Sequence, residues 1–309
     1  MTPERAQELI ANASRNRDVL FPYINGQDLN NRPDCSGSRW VINFNDWSLD
    51  VASSYREPFA QVEREVKPER LVTKRDARRK YWWRYAERAP GLYKAIEGLN
   101  RVIAITRVSK VVLPVTISTR QVFSEQIVVF ATDDTGMLSL LSSAPHYCWT
   151  IERASTLETR IRYTPSDVFD TLARPDFTDE MRAIGDRLDT FRGELMLSRQ
   201  VGLTATYNLV HDPACTDADI AELREIHGRI DEAVCRAYGW DDLLAGGLDH
   251  GFHDTRQGVR YTVGPVVRQE ILDRLLELNH ERYAAEQRSG AGDGKRKTAK
   301  RSQQPELFG

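Results

Sequence analysis

Two rhythms of apolar and polar positions run along the chain, and each predicts its own elements. Over residues 2–12, Ala6, Leu9 and Ile10, with Ala13 just beyond, recur at steps of three and four, which predicts a short amphipathic helix. RWVINFND (39–46) alternates, with Trp40, Ile42 and Phe44 on one face, and predicts a strand. NGQDLNNRPD (25–34) is dense in Asn, Asp, Gly and Pro and predicts a loop. Residues 56–66 are helical in pattern up to Pro68. From 101 to 131 the texture becomes β-branched: RVIAITRV, VVLPVTIS and QVFSEQIVVFA predict sheet strands, with Pro114 at an edge or bulge. MLSLLSSAPHYCW (137–149) predicts a helix broken near Pro145, and TLETRIRY (156–163) alternates as one strand would. In YTPSDVF, Thr164 at N-cap, Pro165 at N1 and Asp167 at N3 predict a short helix.

ARPDFTDE (173–180) marks a boundary, after which the pattern turns helical. In 216–238, Ile220, Leu223, His227, Ile230, Val234 and Ala237 step by three and four, with Thr216 and Asp219 as a capping pair; 264–287 forms a second long helix. The fold class is therefore α+β: a mixed β-sheet domain with flanking helices over 1–175, then a helical domain over 176–288. Residues 289–309, with GAGDGKRKTAKR, read as a disordered basic tail.

Composition adds exclusions. At 309 residues the chain can bury two sizeable cores, and no apolar run approaches the roughly 20 residues of a membrane helix. The polar N-terminus and four scattered cysteines (Cys35, Cys148, Cys215, Cys235) fit a reducing cytoplasm rather than a disulfide framework or cysteine zinc site. P-loop, GxGxxG-after-strand, nucleophile-elbow and HExxH motifs are all absent, so no cofactor site is expected in this chain. His211, Cys215, His250 and His253 are conceivable metal ligands, but ordinary hydrogen-bonded side chains explain them better, and no metal site is expected.

Charge changes the picture locally. The net charge of the chain is −2, yet residues 67–84 hold Lys67, Arg70, Lys74, Arg75, Arg78, Arg79, Lys80 and Arg84 against one Glu and one Asp. Read as a helix, the stretch contains the like-charge pairs Lys74/Arg78 and Arg75/Arg79 at i,i+4, which weaken an isolated helix. Its cations spread around most of the wheel, a pattern that a polyanion or an acidic partner would compensate. The adjacent Trp82 and Trp83 are expected to be structural rather than base-stacking. In TLETRIRY, Leu157, Thr159, Ile161 and Tyr163 would face a core while Glu158, Arg160 and Arg162 project together. Arg can pair with guanine O6/N7 and Glu with cytosine N4, so these three could read base edges; a cross-strand ion ladder is the equally good alternative on pattern alone.

PYINGQDLNNRPD, SRWVINFNDW, VKPER, RRKYWW, RVSK and RYTPSDVF occur in one order, followed by GLTATYNLVHDP, AYGW and LLELNHERY. In that order they resemble the target-recognition and C-terminal helical regions of MmeI-like restriction–modification enzymes and related adenine-specific DNA methyltransferases, over nearly all of residues 2–287. The resemblance implies sequence-specific recognition of double-stranded DNA in defence against foreign DNA, with base choice placed at Glu158 and Arg160. It also implies a methyltransferase core that binds S-adenosylmethionine and carries an Asn-Pro-Pro-aromatic motif. No Asn-Pro-Pro occurs here, so the chain is not expected to be catalytic alone, and the core is expected on a separately encoded subunit. Alternatives are a metal-dependent nuclease using His250, His253 and Asp254, and an inactive remnant of a truncated gene.

Overall fold

The computed structural model describes residues 1–86, 89–157 and 160–288. Helix α1 (Pro3–Asn12) forms as expected and buries Ala6, Leu9 and Ile10, with Thr2 capping it by accepting from the Arg5 amide. Strand β1 (Leu20–Ile24) is followed by α2 (Gly26–Asn31), where a loop was expected. The Asn25 side chain accepts from the Gln27 and Asp28 amides and the Asp28 carboxylate accepts from the Asn25 amide. The polar residues that suggested a loop are thus a capping box. Strand β2 (Arg39–Ile42) pairs antiparallel with β1, and Phe44 beyond it is fully buried. Short helices α3 (Leu49–Ser53), α4 (Arg56–Glu65), α5 (Lys67–Leu71), α6 (Asp76–Lys80) and α7 (Pro90–Ala95) lead into the β-rich segment.

That segment supplies β3 (Arg101–Thr106), β4 (Val108–Ser109), β5 (Val115–Ser118), β6 (Val122–Phe123) and β7 (Ile127–Phe130). Strand β3 is central in the order β5-β3-β7, and Pro114 precedes the edge strand β5. Strand β6 joins β1 in parallel. Helix α8 (Thr135–Ser142) ends where α9 (Ala144–Arg153) begins, with Pro145 in the first turn of α9. Strands β8 (Ser155–Leu157) and β9 (Arg160–Arg162) pair with each other, Leu157 opposite Arg160, and β4 completes the order β4-β9-β8. The stretch 156–163 therefore folds back on itself and is not one strand. Residues 164–172 form successive turns where a helix was expected; the Val168 carbonyl accepts from the Trp149 indole.

Helices follow, three of them long: α10 (Asp179–Arg199), α12 (Ala218–Ala237) and α14 (Pro265–Arg288), with the short α11 (Leu203–Val210) and α13 (Asp241–Gly246) between them. The expected capping pair of α12 is not formed, because Arg199 takes the Asp219 carboxylate at 2.8 Å. An antiparallel hairpin of β10 (Gly251–Thr255) and β11 (Gly258–Thr262) interrupts the helices. It went unforeseen because its outward positions break the apolar alternation: Phe252 and Val259 are exposed. Gly185 lets α10 lie directly on α8, since a Cβ there would collide with the Thr135 carbonyl oxygen and reach 2.8 Å from Ser139 Oγ. One cluster, from Ile24 to Leu275, packs the central sheet against α8–α12 and α14, so residues on both sides of 175 share it. A second cluster joins α1, Phe44, Tyr55, Val62, Trp82 and Trp83. The tail beyond 288 lies outside the described residues.

Candidate nucleic-acid interface

The basic stretch is two five-residue helices, α5 and α6, rather than one continuous helix. Lys74 and Arg75 lie before α6, so the i,i+4 stacking expected of them with Arg78 and Arg79 does not occur within a single helix. Aromatic packing anchors the segment. Trp82 and Trp83 are buried edge-to-face, and the Trp83 indole donates to the Trp47 carbonyl at 3.0 Å. The tryptophans are structural, as expected.

The cations divide into two groups. Arg84 donates to the Trp47 carbonyl at 3.2 Å, stands 3.5 Å from Asp46 and covers the Tyr81 ring at 4.3 Å. Lys67 pairs with Glu63 at 2.8 Å and lies over the Trp82 ring. Arg79 pairs with Asp76 and donates to the Thr73 carbonyl. These pairs are largely exposed, and such pairs contribute about 0–1 kcal/mol, so a phosphate could displace the carboxylates of Lys67 and Arg79 at little cost. Arg84 is held more deeply. Lys74, Arg75 and Arg78 make no side-chain hydrogen bond or ion pair among the described residues; Lys74 and Arg75 are exposed and Arg78 half-buried. Lys80 is exposed over the Tyr81 ring. Burial, and then the charge of Arg78, lowers the pKa of the half-buried Arg70, so like charge concentrates here.

A second positive surface lies on the β4-β9-β8 sheet. Arg160 and Arg162 are exposed while Ile161 and Tyr163 are buried, the alternation expected of a strand. Glu158 and Thr159, and the side chain of Leu157, lie outside the described residues. Register places Arg162 between Val108 and Ser155, on the same sheet face. The strand is tied to the interior through Tyr163. His146 Nδ1 lies 2.8 Å from the Leu141 carbonyl, which can only accept, so that nitrogen carries the proton. Nε2 is then the acceptor for the Tyr163 hydroxyl at 2.9 Å. Burial pushes the His146 pKa down to about 4, which keeps the ring neutral. Sequence reasoning missed the cations that border this sheet. Arg107 precedes β4 and donates to the Glu125 carbonyl, Lys110 follows β4, and Arg153 at the end of α9 covers the Trp149 ring. The run RVSK carried the signal for the first two, but its paired cations show their placement only once β4 is set beside β9.

A family model for the MmeI target recognition domain matches residues 1–176, which include both positive surfaces. The chain belongs to this family. Among solved structures, this member of the MmeI target-recognition family resembles a type IIL restriction–modification enzyme, MmeI, determined in complex with DNA, with a TM-score of 0.62 and 16% identity. The match covers 92% of this chain and 34% of that one, so the chain spans about a third of that enzyme's length. At that identity the likeness establishes the shared α+β fold, including the helices after 176. No curated protein matches the chain.

In this family member the histidines of HGFHD diverge. His250 Nε2 is 2.9 Å from Asp231 Oδ2, and His253 Nε2 is 2.8 Å from the Asp249 carbonyl. His253 and Asp254 are consecutive in β10 and so point to opposite faces. No group of three or more His, Cys, Asp or Glu side chains that could hold a metal converges among the described residues. No helix among the described residues is long and apolar enough to cross a membrane.

Proposed function

We propose that the chain reads a specific sequence in double-stranded DNA for an adenine-N6 methyltransferase of a restriction–modification system. The observation that carries this is the family match over residues 1–176, the region that presents the exposed Arg160 and Arg162. Phosphate contacts set the register of a protein on DNA, and base-edge contacts carry sequence information. Lys74, Arg75, Arg78 and Lys80, assisted by Arg70 and by Lys67 and Arg79 once freed from their carboxylates, hold the backbone. Arg84 braces the aromatic packing beneath them. Glu158, Arg160 and Arg162 read bases. The catalytic core, with S-adenosylmethionine, is supplied by a partner subunit, and the assembly works in the cytoplasm.

The test is a selection of preferred duplexes from a random library by the wild type, Glu158→Ala and Arg160→Ala. A lost base contact is expected to relax one position by about 1–3 kcal/mol while leaving the others unchanged. An unchanged preferred site in both variants refutes the base-reader assignment. A chain that unfolds cooperatively yet selects no sequence is an inactive remnant. Methylation of the selected duplex by the chain plus a methyltransferase core, and by neither alone, tests the partner.

A further inference from the structure

Behind the Val111–Pro114 segment, which leaves β4 for β5, lies a cavity of about 90 Å³. That is several times the roughly 10–15 Å³ a single water requires. Four histidines from distant parts of the chain line it: His146, His211, His227 and His250. Asp231, Ser142, Arg260 and several hydroxyl side chains, Tyr207 among them, add to its polar lining.

The hydrogen bonds fix which of these groups are already used. Arg192 donates to the Tyr207 oxygen at 3.1 Å, and Tyr207 in turn lies 2.7 Å from His227 Nε2. His146 is satisfied by Leu141 and Tyr163. Both Asp231 oxygens are taken, by the Ala144 amide at 2.6 Å and by His250 at 2.9 Å. His211 Nδ1 accepts from the Tyr261 amide at 3.2 Å, so its proton sits on Nε2, which has no partner among the described residues. Ser142 Oγ and Arg260 Nε are buried with no hydrogen-bond partner among the described residues. The unused groups on the wall are therefore chiefly donors, one of them cationic.

The surrounding charge has the same sign. Among the described residues, buried Arg192 donates only to Tyr207 and the Pro114 carbonyl, and Arg224 only to the carbonyls of Leu209, Val210, Asp212 and Cys215. Neither has a carboxylate at ion-pair distance among the described residues. Burial, then Arg260 and Arg224, hold His211 down to about 3. Burial, then Arg192, does the same to His227. Among the described residues Asp231 is the acid on the wall, and its carboxylate is already engaged by His250 and the Ala144 amide.

We propose that this cavity binds a small oxyanion, a carboxylate or a phosphate group, on Arg260 Nε, Ser142 Oγ and His211 Nε2. A bound anion would satisfy three idle donors and compensate arginines that lack a carboxylate. The test titrates the full chain, without DNA, with sodium phosphate and separately with sodium acetate. Sodium chloride at matched ionic strength is the control, and calorimetry and thermal unfolding are the readouts. One-to-one binding and a raised unfolding temperature are expected with at least one oxyanion, and the better of the two identifies its source. Arg260→Gln should weaken binding at least about tenfold, and Ser142→Ala, a milder change in case Arg260→Gln does not fold, about fivefold. Stabilisation no greater than that by chloride, or wild-type affinity in folded variants, overturns the proposal.

Discussion

Removing Lys74, Arg75 and Arg78 together tests whether the 67–84 surface holds DNA through its unpartnered cations. Each cation that neutralises a phosphate contributes about 0.9 to the slope of log affinity against log salt. Three lost contacts lower that slope by about 2.7. Between 50 and 200 mM salt, wild-type affinity should therefore fall about 40-fold more than that of the triple alanine variant. The structure supplies an internal control. Arg84→Ala removes a charge from the same segment, but one committed to Trp47, Asp46 and Tyr81. It should leave the slope unchanged and lower stability by about 1–3 kcal/mol. Fluorescence anisotropy on one duplex at several salt concentrations gives the slopes, and urea unfolding gives the stabilities. Equal slopes for wild type and the triple variant refute the division of cations, as does an Arg84→Ala slope as low as that of the triple variant.

Tyr163→Phe removes the hydroxyl at 2.9 Å from buried His146 Nε2, leaving it the Thr150 hydroxyl at 3.4 Å, and should cost about 0.5–1.5 kcal/mol by urea unfolding; no loss contradicts the proton assignment. Gly185→Ala forces α8 from α10 and should cost about 1–3 kcal/mol or more, whereas Gly193→Ala, with open space around its Cβ, should be neutral or stabilising on the same helix. Stability should fall as pH drops from about 6.5 toward 4. His146, His211 and His227 stay neutral in the fold until about pH 4, 3 and 3, while the unfolded chain takes up their protons near 6.5. Each contributes a slope of up to about 1.4 kcal/mol per pH unit. His250 acts oppositely: burial disfavours its proton, but the Asp231 hydrogen bond and the charges of Asp231, Glu232 and Asp249 together outweigh burial and raise its pKa, so its stabilisation is present below about 6.5 and lost as pH rises through the raised value. Flat stability by urea unfolding between pH 6.5 and 4.5 would show that these rings are not buried and neutral.

Local patterns served best where one side of an element alone meets the core. The period of α1, the break at Pro145 and the burial of Ile161 and Tyr163 beneath exposed Arg160 and Arg162 follow from such patterns. They misled where a polar side chain serves its own backbone. Asn25 and Asp28 imitate a loop because capping and loop-forming use the same residues. In 156–163, period-two alternation is the same in one strand and in two strands paired back to back, so the hairpin was hidden. The proposed base-reading surface was half legible: the row of Arg160 and Arg162 could be read along the chain, but Arg107, Lys110 and Arg153 join them only through pairing and helix direction.

The sequence by itself determined the α+β class, the family and the concentration of positive charge at 67–84, because these depend on composition, periodicity and motif order. Tertiary structure decided that Arg84 is spent, since Trp47 and Asp46 reach it only once the aromatic cluster folds, whereas Glu63 and Asp76 are local i,i+4 and i,i+3 partners of Lys67 and Arg79. It also decided the cavity. His146, His211, His227 and His250 are separated by as many as 104 residues, and only the packing of α8, α9, α11, α12 and the β10–β11 hairpin around one space brings them together. Periodicity records which face of an element is buried; it holds no record of what that face will meet.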